Sequence, residues 1–284
     1  MSVDAGGVTG YASSPPWSKP AARRGADAVS ESAAPAESLR ATPPKERLIA
    51  PLWHTIGLLI LVFGNSYASF FLSRTFVAKS AATGGPSLEA RLMTYASTMA
   101  LEWFLFVYVY LGMRARGETV RNRVNARWNR AGDVYRDIGI GLGVWFSILV
   151  IAGILSVPFR TAGGEGTKVV TELVPHAFIE LPVWALLTIS AGFCEEFVFR
   201  GYLQEQFRRM TGSAAAAVVI QAVIFGLGHG YQGWAHMTII VAIGLILGGA
   251  AWWRKSLAPG MIAHGWLDFS SGVGLFFAHL KHLI

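Results

Sequence analysis

The apolar residues of this chain are grouped into long runs, and its charged residues into short segments between them. Seven apolar runs follow one another, at residues 49–72, 92–113, 138–157, 178–210, 213–230, 234–253 and 257–280. Each run approaches or exceeds the roughly 20 residues that a helix needs to cross a bilayer. The pattern therefore predicts an all-α, polytopic transmembrane helix bundle with seven crossings, or eight if a loop re-enters the membrane.

The composition supports a membrane protein. Hydrophobic residues make up 53% of the chain and charged residues 14%, whereas a soluble domain carries about 25% charged residues. Residues 1–46 differ from the rest, because they are rich in Ala, Pro, Ser and Arg and lack the apolar core of a signal peptide. We expect a disordered tail at 1–46 and a transmembrane domain at 47–284.

The positions of the basic residues predict the orientation in the membrane. Seven arginines lie between residues 114 and 136, so this segment is expected on the cytoplasmic side. Alternation of the helices then places the N-terminal tail, Arg208–Arg209 and Arg254–Lys255 on the same side and the C-terminus outside. No basic stripe with exposed aromatics indicates nucleic acid, despite a net charge of +7. We expect a multi-pass protein of a bacterial plasma membrane, in contact with its lipids.

Two adjacent glutamates lie inside the fourth apolar run. Ionisable residues in hydrocarbon are costly and indicate a functional site. Glu196 and Arg200 are four residues apart, in the order that favours an ion pair on one helix face. Glu195 is turned about 100° from Glu196 around the helix axis. The spacing therefore predicts that Arg200 binds Glu196 and that Glu195 remains free for chemistry.

Two further polar clusters lie in the later helices. One is Phe225-Gly-Leu-Gly-His229, and the other is His264-Gly-Trp-Leu-Asp268, in which the two ends share a helix face. Taken singly, His229 is interpreted as a buried packing histidine rather than a catalytic one, and the His264 pair is equally explained by helix packing. At 1.5 Å per residue, Glu195 and His229 lie roughly 22–24 Å from the cytoplasmic boundary, and His264 roughly 10 Å. The clusters can converge on one buried cavity, with His264 shallower than the others.

This set of groups suits amide hydrolysis by either of two routes. A glutamate can take a proton from water while imidazoles stabilise an oxyanion. Alternatively, Glu195, His229 and His264 would hold a divalent metal such as Zn²⁺, although no cofactor is certain from the sequence. The lone cysteine, Cys194, is interpreted as a packing residue. Mid-helix Glu102 is expected to line the cavity or to pair with an arginine, and His54, near a helix end, to be hydrated.

Together the three motifs resemble the CAAX-protease and bacteriocin-processing (CPBP) family of intramembrane proteases. The resemblance rests on Glu195-Glu196-x-x-x-Arg200, Phe225-x-x-x-His229 and His264-x-x-x-Asp268, and it covers about residues 175–280 as the protease core. It implies an endopeptidase acting on peptide or protein substrates, including lipidated ones. It also implies that Glu195 and His229 activate water, that His264 and Asp268 stabilise the oxyanion, and that Glu196 and Arg200 support them.

The third motif of the family often ends in Asn where this chain has Asp268. Asp268 would have to be protonated to donate to an oxyanion, or would act by orienting His264. Two other functions remain as alternatives. Intramembrane carboxylate and histidines also suit a proton-coupled transporter, although the two related halves typical of transporters are not visible in the sequence. A catalytically silent scaffold or immunity protein would retain the same motifs.

Overall fold

The computed structural model describes residues 46–83, 85–159 and 170–281, and these residues form a helical bundle. The predicted disordered tail lies outside the described residues, apart from Glu46. In chain order the α-helices are α1 Leu52–Thr83, α2 Leu88–Arg114, α3 Val120–Val124, α4 Ala131–Ser156, α5 Leu181–Glu195, α6 Glu205–Thr211, α7 Ala214–Gly228, α8 Trp234–Arg254 and α9 Ala258–Leu280. Within the described ranges there is no strand, so the all-α prediction is confirmed.

Helices α5 and α6 are two parts of one long rod. A nine-residue π-helix, Glu196–Gln204, joins them, and the whole rod spans Phe178–Thr211, which agrees with the predicted run at 178–210. In a π-helix each N–H bonds to the carbonyl five residues back, so the side chains are arranged differently from those of an α-helix. All nine residues of the π-helix are buried. Such stretches occur mostly at functional sites, and this one begins at Glu196.

Among the residues that the structure describes, five helices are long and apolar enough to cross a membrane: Leu52–Leu72, Leu88–Arg114, Ala131–Phe159, Phe178–Thr211 and Trp234–Arg254. Together with the motifs, they identify an integral membrane protein. The predicted count of seven to eight crossings is not confirmed. Helix α7 has 15 residues and is about 22 Å long, short of the hydrocarbon thickness. Helix α9 has 23 residues but is not among these five.

The rod formed by α5 and α6 is at the centre of the bundle. In its apolar stretch 39% of the residues are buried, against 11% in the apolar stretch of α4. Buried aromatic and aliphatic side chains of the π-helix, among them Phe197, Tyr202 and Leu203, pack against Leu58 of α1 and Val109 of α2. The rod therefore supplies the core, and α4 presents most of its surface to lipid.

Small residues bring α5 and α9 into close contact. A Cβ atom on Gly192 would lie 2.8 Å from the backbone of both Met261 and Gly265, and one on Gly265 would lie 3.1 Å from the Thr188 carbonyl. Thr188 and Gly192 are one turn apart on α5, as Met261 and Gly265 are on α9. Small residues at this spacing allow membrane helices to approach closely. The next turn of the rod begins at Glu196, so this contact determines which side chains of α9 lie beside the two glutamates.

The basic segments that were predicted on one side of the membrane do share one face of the bundle. Arg209 pairs with Glu118 at 2.9 Å, and Asn125 Nδ2 donates to the Lys255 carbonyl at 2.6 Å. We call this end, which contains residues 114–136 and the ends of α6 and α8, the basic face. Trp252 and Trp253 are exposed beside it, where amphipathic rings favour the membrane interface.

The prediction that His54 is hydrated is wrong. Its side chain is buried, with 4% of the residue's surface exposed. Its Nδ1 lies 3.0 Å from the Tyr202 hydroxyl and its Nε2 2.9 Å from the Tyr108 carbonyl oxygen. The start of α1 packs against the π-helix, so protein groups replace the water that a helix end would otherwise have.

Candidate active site

The second glutamate of the pair, Glu196, is hydrogen-bonded by two buried basic side chains, Arg200 and His264. We call these three residues the clamp. Glu196 Oε1 accepts hydrogen bonds from Arg200 Nη1 and from His264 Nδ1, each at 2.9 Å. The Glu196 and Arg200 side chains have no exposed surface, and His264 has 7%. The predicted Glu196–Arg200 pair is confirmed. His264 also bonds Glu196, so a hydrogen bond joins the first and third motifs directly.

His264 reaches the glutamates because α9 begins deeper in the bundle than the sequence indicated. The depth estimate assumed that Leu257 and the end of α6 lie at the same level. Instead, the Leu257 side chain packs against Gly201, about ten residues before the end of α6, where a Cβ on Gly201 would touch it at 3.0 Å. The antiparallel α9 then rises about 10 Å over seven residues and brings His264 level with Glu196.

The first glutamate lies in a different environment. Glu195 has 23% of its side-chain surface exposed, and its Oε2 is 3.7 Å from His264 Nε2. Asp268 Oδ2 is 3.5 Å from the same nitrogen and has 37% exposed surface. Both distances are beyond hydrogen-bonding range. His264 thus bonds Glu196 through Nδ1 and presents Nε2 to two carboxylates that remain open to solvent.

His229 is placed by the end of α7. Its backbone lies at φ −101° and ψ 18°, where the helix stops, and its ring Nδ1 is 2.8 Å from the Phe225 carbonyl oxygen. A carbonyl only accepts, so Nδ1 carries the proton and Nε2 retains its lone pair. His229 lines the same cavity as Glu195, and no hydrogen bond or ion pair joins the two in the described structure.

Phe225 connects the motifs and was not among the predicted site residues. Its ring lies under the Arg200 guanidinium, with 4.3 Å between Arg200 Cζ and the ring centroid. The same ring meets the His229 ring at 4.8 Å and the His264 ring at 6.0 Å, both edge to face. The Phe-x-x-x-His spacing marked this position, since it puts phenylalanine and histidine on one helix face.

Glu195 and His229 open into a cavity of about 710 Å³. This is within the range of small-molecule and peptide-fragment sites. Helices α1 and α2 form the opposite wall, with a row of hydroxyl and amide groups among leucines and valines. The polar members of that wall are Asn65, Ser69, Thr75, Thr94, Ser97 and Thr98. The cavity can therefore accept both a polar backbone and an apolar chain.

Glu102 lines this cavity, in agreement with the first of its two predicted placements. One of its oxygens accepts a hydrogen bond from Ser190 Oγ at 2.6 Å, and no arginine contacts it in the described part of the chain. Only 7% of Glu102 is exposed. Cys194 is also buried at the cavity wall. Among the described residues that line it, the cavity therefore holds two carboxylates and no basic side chain other than His229.

The residues proposed for a metal do not form a metal site as they are placed. Among residues 46–83, 85–159 and 170–281, no group of three or more His, Cys, Asp or Glu side chains has a geometry that would hold a metal ion. His264 directs Nδ1 at Glu196 and His229 directs Nδ1 at its own helix. These hydrogen bonds leave Nε2 of both histidines free, so the metal assignment stays a prediction, and no step of the chemistry is assigned to a cation.

A family model described as Rce1-like, type II CAAX prenyl endopeptidase, matches residues 177–270, about a third of the chain. The match contains all three motifs and confirms the resemblance to the CPBP family, whose members are membrane proteases. Helices α1, α2, α3 and α4 lie entirely outside it. Neither a curated protein nor a solved structure matches this chain.

Proposed function

We propose that this protein is an intramembrane endopeptidase that hydrolyses peptide bonds in membrane-associated substrates, including lipidated ones. The observation that carries the proposal is the contrast within the glutamate pair. Glu196 is bound by Arg200 and His264, whereas Glu195 opens into the cavity and, among the described residues, has no basic partner within hydrogen-bonding distance. A carboxylate in that position can serve as a general base.

Glu195 would activate the water. Its carboxylate accepts one proton as the water oxygen attacks the carbonyl carbon of the scissile amide, and the carbonyl electron pair moves onto oxygen. When the tetrahedral intermediate collapses, the C–N bond breaks and Glu195 returns the proton to the leaving nitrogen. One water is consumed, and the products are a carboxylic acid and an amine.

His229 would orient that water. Its Nδ1–H is committed to the Phe225 carbonyl, so Nε2 is available as an acceptor. A water that donates one O–H to Glu195 and the other to His229 Nε2 directs a lone pair towards the substrate. Two acceptors at the cavity wall therefore favour the geometry of attack, which contributes through positioning.

His264 and Asp268 would stabilise the oxyanion. Arg200 and His264 both donate to one oxygen of Glu196, so His264 is held through Nδ1. Donation from Nε2 to the oxyanion then makes His264 an imidazolium, held in orientation by Glu196. Asp268, one turn further along α9, would add a second hydrogen bond in its protonated form.

The walls of the cavity suit an extended peptide with an apolar attachment. Hydroxyl and amide groups of α1 and α2 offer hydrogen bonds to a peptide backbone, and the leucines and valines between them accept apolar side chains or an acyl or prenyl chain. We place the basic face in the cytoplasm of a bacterial cell, because cytoplasmic loops carry an excess of Lys and Arg.

The test is cleavage of a quenched, lipidated peptide library by the purified protein in liposomes. We expect Glu195→Ala to reduce the rate by about 10³-fold and His229→Ala by about 10²-fold, the usual range for general acid–base groups. Each variant is compared with wild type for its thermal unfolding, so that a loss of fold is distinguished from a loss of chemistry.

A chelator forms the second arm of the experiment. Cleavage that persists with chelator supports the glutamate base, whereas cleavage that is lost and then restored by Zn²⁺ would assign a metal mechanism. Equal rates in wild type and both variants would refute the peptidase, and a folded but inactive wild type on every library member would favour the scaffold.

A further inference from the structure

A second pocket, of about 290 Å³, lies at the basic face. It is formed by α3, the end of the π-helix, α6, the start of α7 and the turn between α8 and α9. Four basic side chains line it, Arg123, Arg200, Arg208 and Lys255, against one acidic side chain, Glu205. The proposed peptide chemistry makes no use of this pocket, apart from Arg200, which borders both regions.

Arg208 is already neutralised. It bonds Glu205 through Nε at 2.8 Å and pairs through Nη2 with Glu46. The hydrogen bond from Arg208 lowers the pKa of Glu46 below its ordinary value. Lys255 has no carboxylate partner in the described ranges, and its ammonium lies 5.0 Å from the centroid of the Trp252 ring. The uncompensated positive charge of the pocket is therefore on the side of Lys255.

Arg200 presents an unused edge. Its Nε and Nη2 are buried and have no hydrogen-bond partner among the described residues, whereas Nη1 donates to Glu196. Nε and Nη2 share one edge of the planar guanidinium, the edge that binds two oxygens of a carboxylate or phosphate at once. Arg123 Nε is a third buried donor without a partner at this pocket. Arg123, whose side chain is 20% exposed, is the arginine of the two that an anion entering the pocket can reach.

We propose that this pocket binds a phosphate group, carried by an anionic membrane lipid or by a free phosphate compound. The Lys255 ammonium would bind the phosphate oxygens from one side and the partly exposed Arg123 guanidinium from the other, and the buried guanidinium of Arg200 would add positive charge nearby. The volume admits a phosphate with its glycerol. The exposed Trp252 beside the pocket is typical of the level of lipid headgroups.

The site would also stabilise the catalytic clamp. The anion would place a negative charge near the buried guanidinium that holds Glu196 through Nη1, and this charge would favour the positive charge of Arg200. Binding of the anion is independent of peptide hydrolysis and is measured separately from it.

The test is binding of phosphatidylglycerol to the purified full chain in neutral detergent, by native mass spectrometry and thermal unfolding, with phosphatidylcholine as the uncharged comparison. We expect phosphatidylglycerol to bind and to raise the melting temperature, because a ligand of the folded state stabilises it. Lys255→Gln should weaken binding about fivefold, the effect of about one basic contact to a headgroup.

Arg121→Gln is the matched control. Arg121 is an exposed arginine of the same basic face that does not line the pocket, so its removal lowers the net charge equally. Its Kd should equal that of wild type. Arg123→Gln provides a second variant at the pocket, with unfolding measured first because Arg123 also pairs with Glu118 at 3.2 Å.

A parallel titration with glycerol 3-phosphate distinguishes the two sources. Binding of the lipid alone assigns a headgroup site, and binding of both with the same loss in Lys255→Gln assigns a general phosphate site. Equal stabilisation by phosphatidylcholine, or equal losses in Lys255→Gln and Arg121→Gln, would overturn the proposal, as would failure of both phosphate probes to bind.

Discussion

The two halves of the candidate site differ in how firmly their side chains are held. In the buried half, Glu196 accepts two hydrogen bonds of 2.9 Å, from Arg200 and His264, and has no exposed surface. In the cavity half, Glu195 and Asp268 lie 3.7 and 3.5 Å from His264 Nε2, and 23% and 37% of their side chains are exposed. Adjacent residues of one type thus acquire different chemistry from their environment, as paired carboxylates in enzymes do.

Substitution of each glutamate by glutamine should give the largest difference between the two halves of the site, in cleavage rate and in stability. Glu195→Gln removes the general base and should reduce peptide cleavage by about 10³-fold, with thermal stability close to wild type. Glu196→Gln leaves the buried Arg200 without a counter-charge and should lower the free energy of unfolding by about 3 kcal/mol. Cleavage rates and chemical denaturation of both variants measure this.

The comparison fails if the effects of the two substitutions on cleavage and on stability are exchanged. A stable Glu196→Gln protein without activity, together with a destabilised Glu195→Gln protein, would make Glu196 the base and Glu195 the structural partner. Arg200→Lys distinguishes further, because it retains the charge of the clamp but loses the planar geometry of the guanidinium.

The second prediction concerns the contact that brings the halves together. A Cβ on Gly192 would lie 2.8 Å from the backbone of Gly265, which can move only with α9. Gly192→Ala should therefore displace His264 from both glutamates and reduce cleavage by about 10²-fold, the effect expected for a shift of about 1 Å at the reacting groups. Gly143→Ala on α4 is the control, since its Cβ would meet no atom within 4 Å. Equal effects of the two substitutions would show that close packing of α5 on α9 is not required.

The third prediction tests the hydrogen bond assigned to Asp268. Asp268→Asn places a permanent donor where the mechanism needs one, so cleavage should remain within about tenfold of wild type, whereas Asp268→Ala should lose about 10²-fold, the effect of removing one oxyanion donor. Steady-state kcat values at several pH values give the answer. A large loss in Asp268→Asn would assign Asp268 the role of an ionised carboxylate that orients His264.

Much of this site could be predicted from the sequence because it depends on short-range helix geometry. The spacing of Glu196 and Arg200 predicts their ion pair, and the length of the apolar run predicts the rod at 178–210. The depth of α9 was not accessible, since it depends on how Leu257 packs against Gly201, a contact between residues far apart in the chain. For the same reason the sequence did not predict the bond between Glu196 and His264.

The π-helix and the cavity wall also required the structure. No residue type in 196–204 distinguishes a π-helix from an α-helix, and the choice depends on packing around the rod. The row of hydroxyl groups on α1 and α2 lies outside the family match at 177–270. This wall is therefore the part of the molecule in which substrate preference would be specific to this chain.

The smallest effect is expected at Glu102, the other carboxylate of the cavity. Its oxygen accepts a hydrogen bond from Ser190 at 2.6 Å, and in the described structure no hydrogen bond or ion pair joins it to His264 or Asp268. Glutamine retains the acceptor for Ser190, so Glu102→Gln should change kcat by less than about fivefold, which is within the effect of one neutral hydrogen bond. Ser190→Ala, which removes the donor, should match it. A loss as large as that of Glu195→Gln would mean that Glu102 on α2 activates the water. The partly exposed position of Glu195 beside Glu196 would then not be sufficient to identify it as the base.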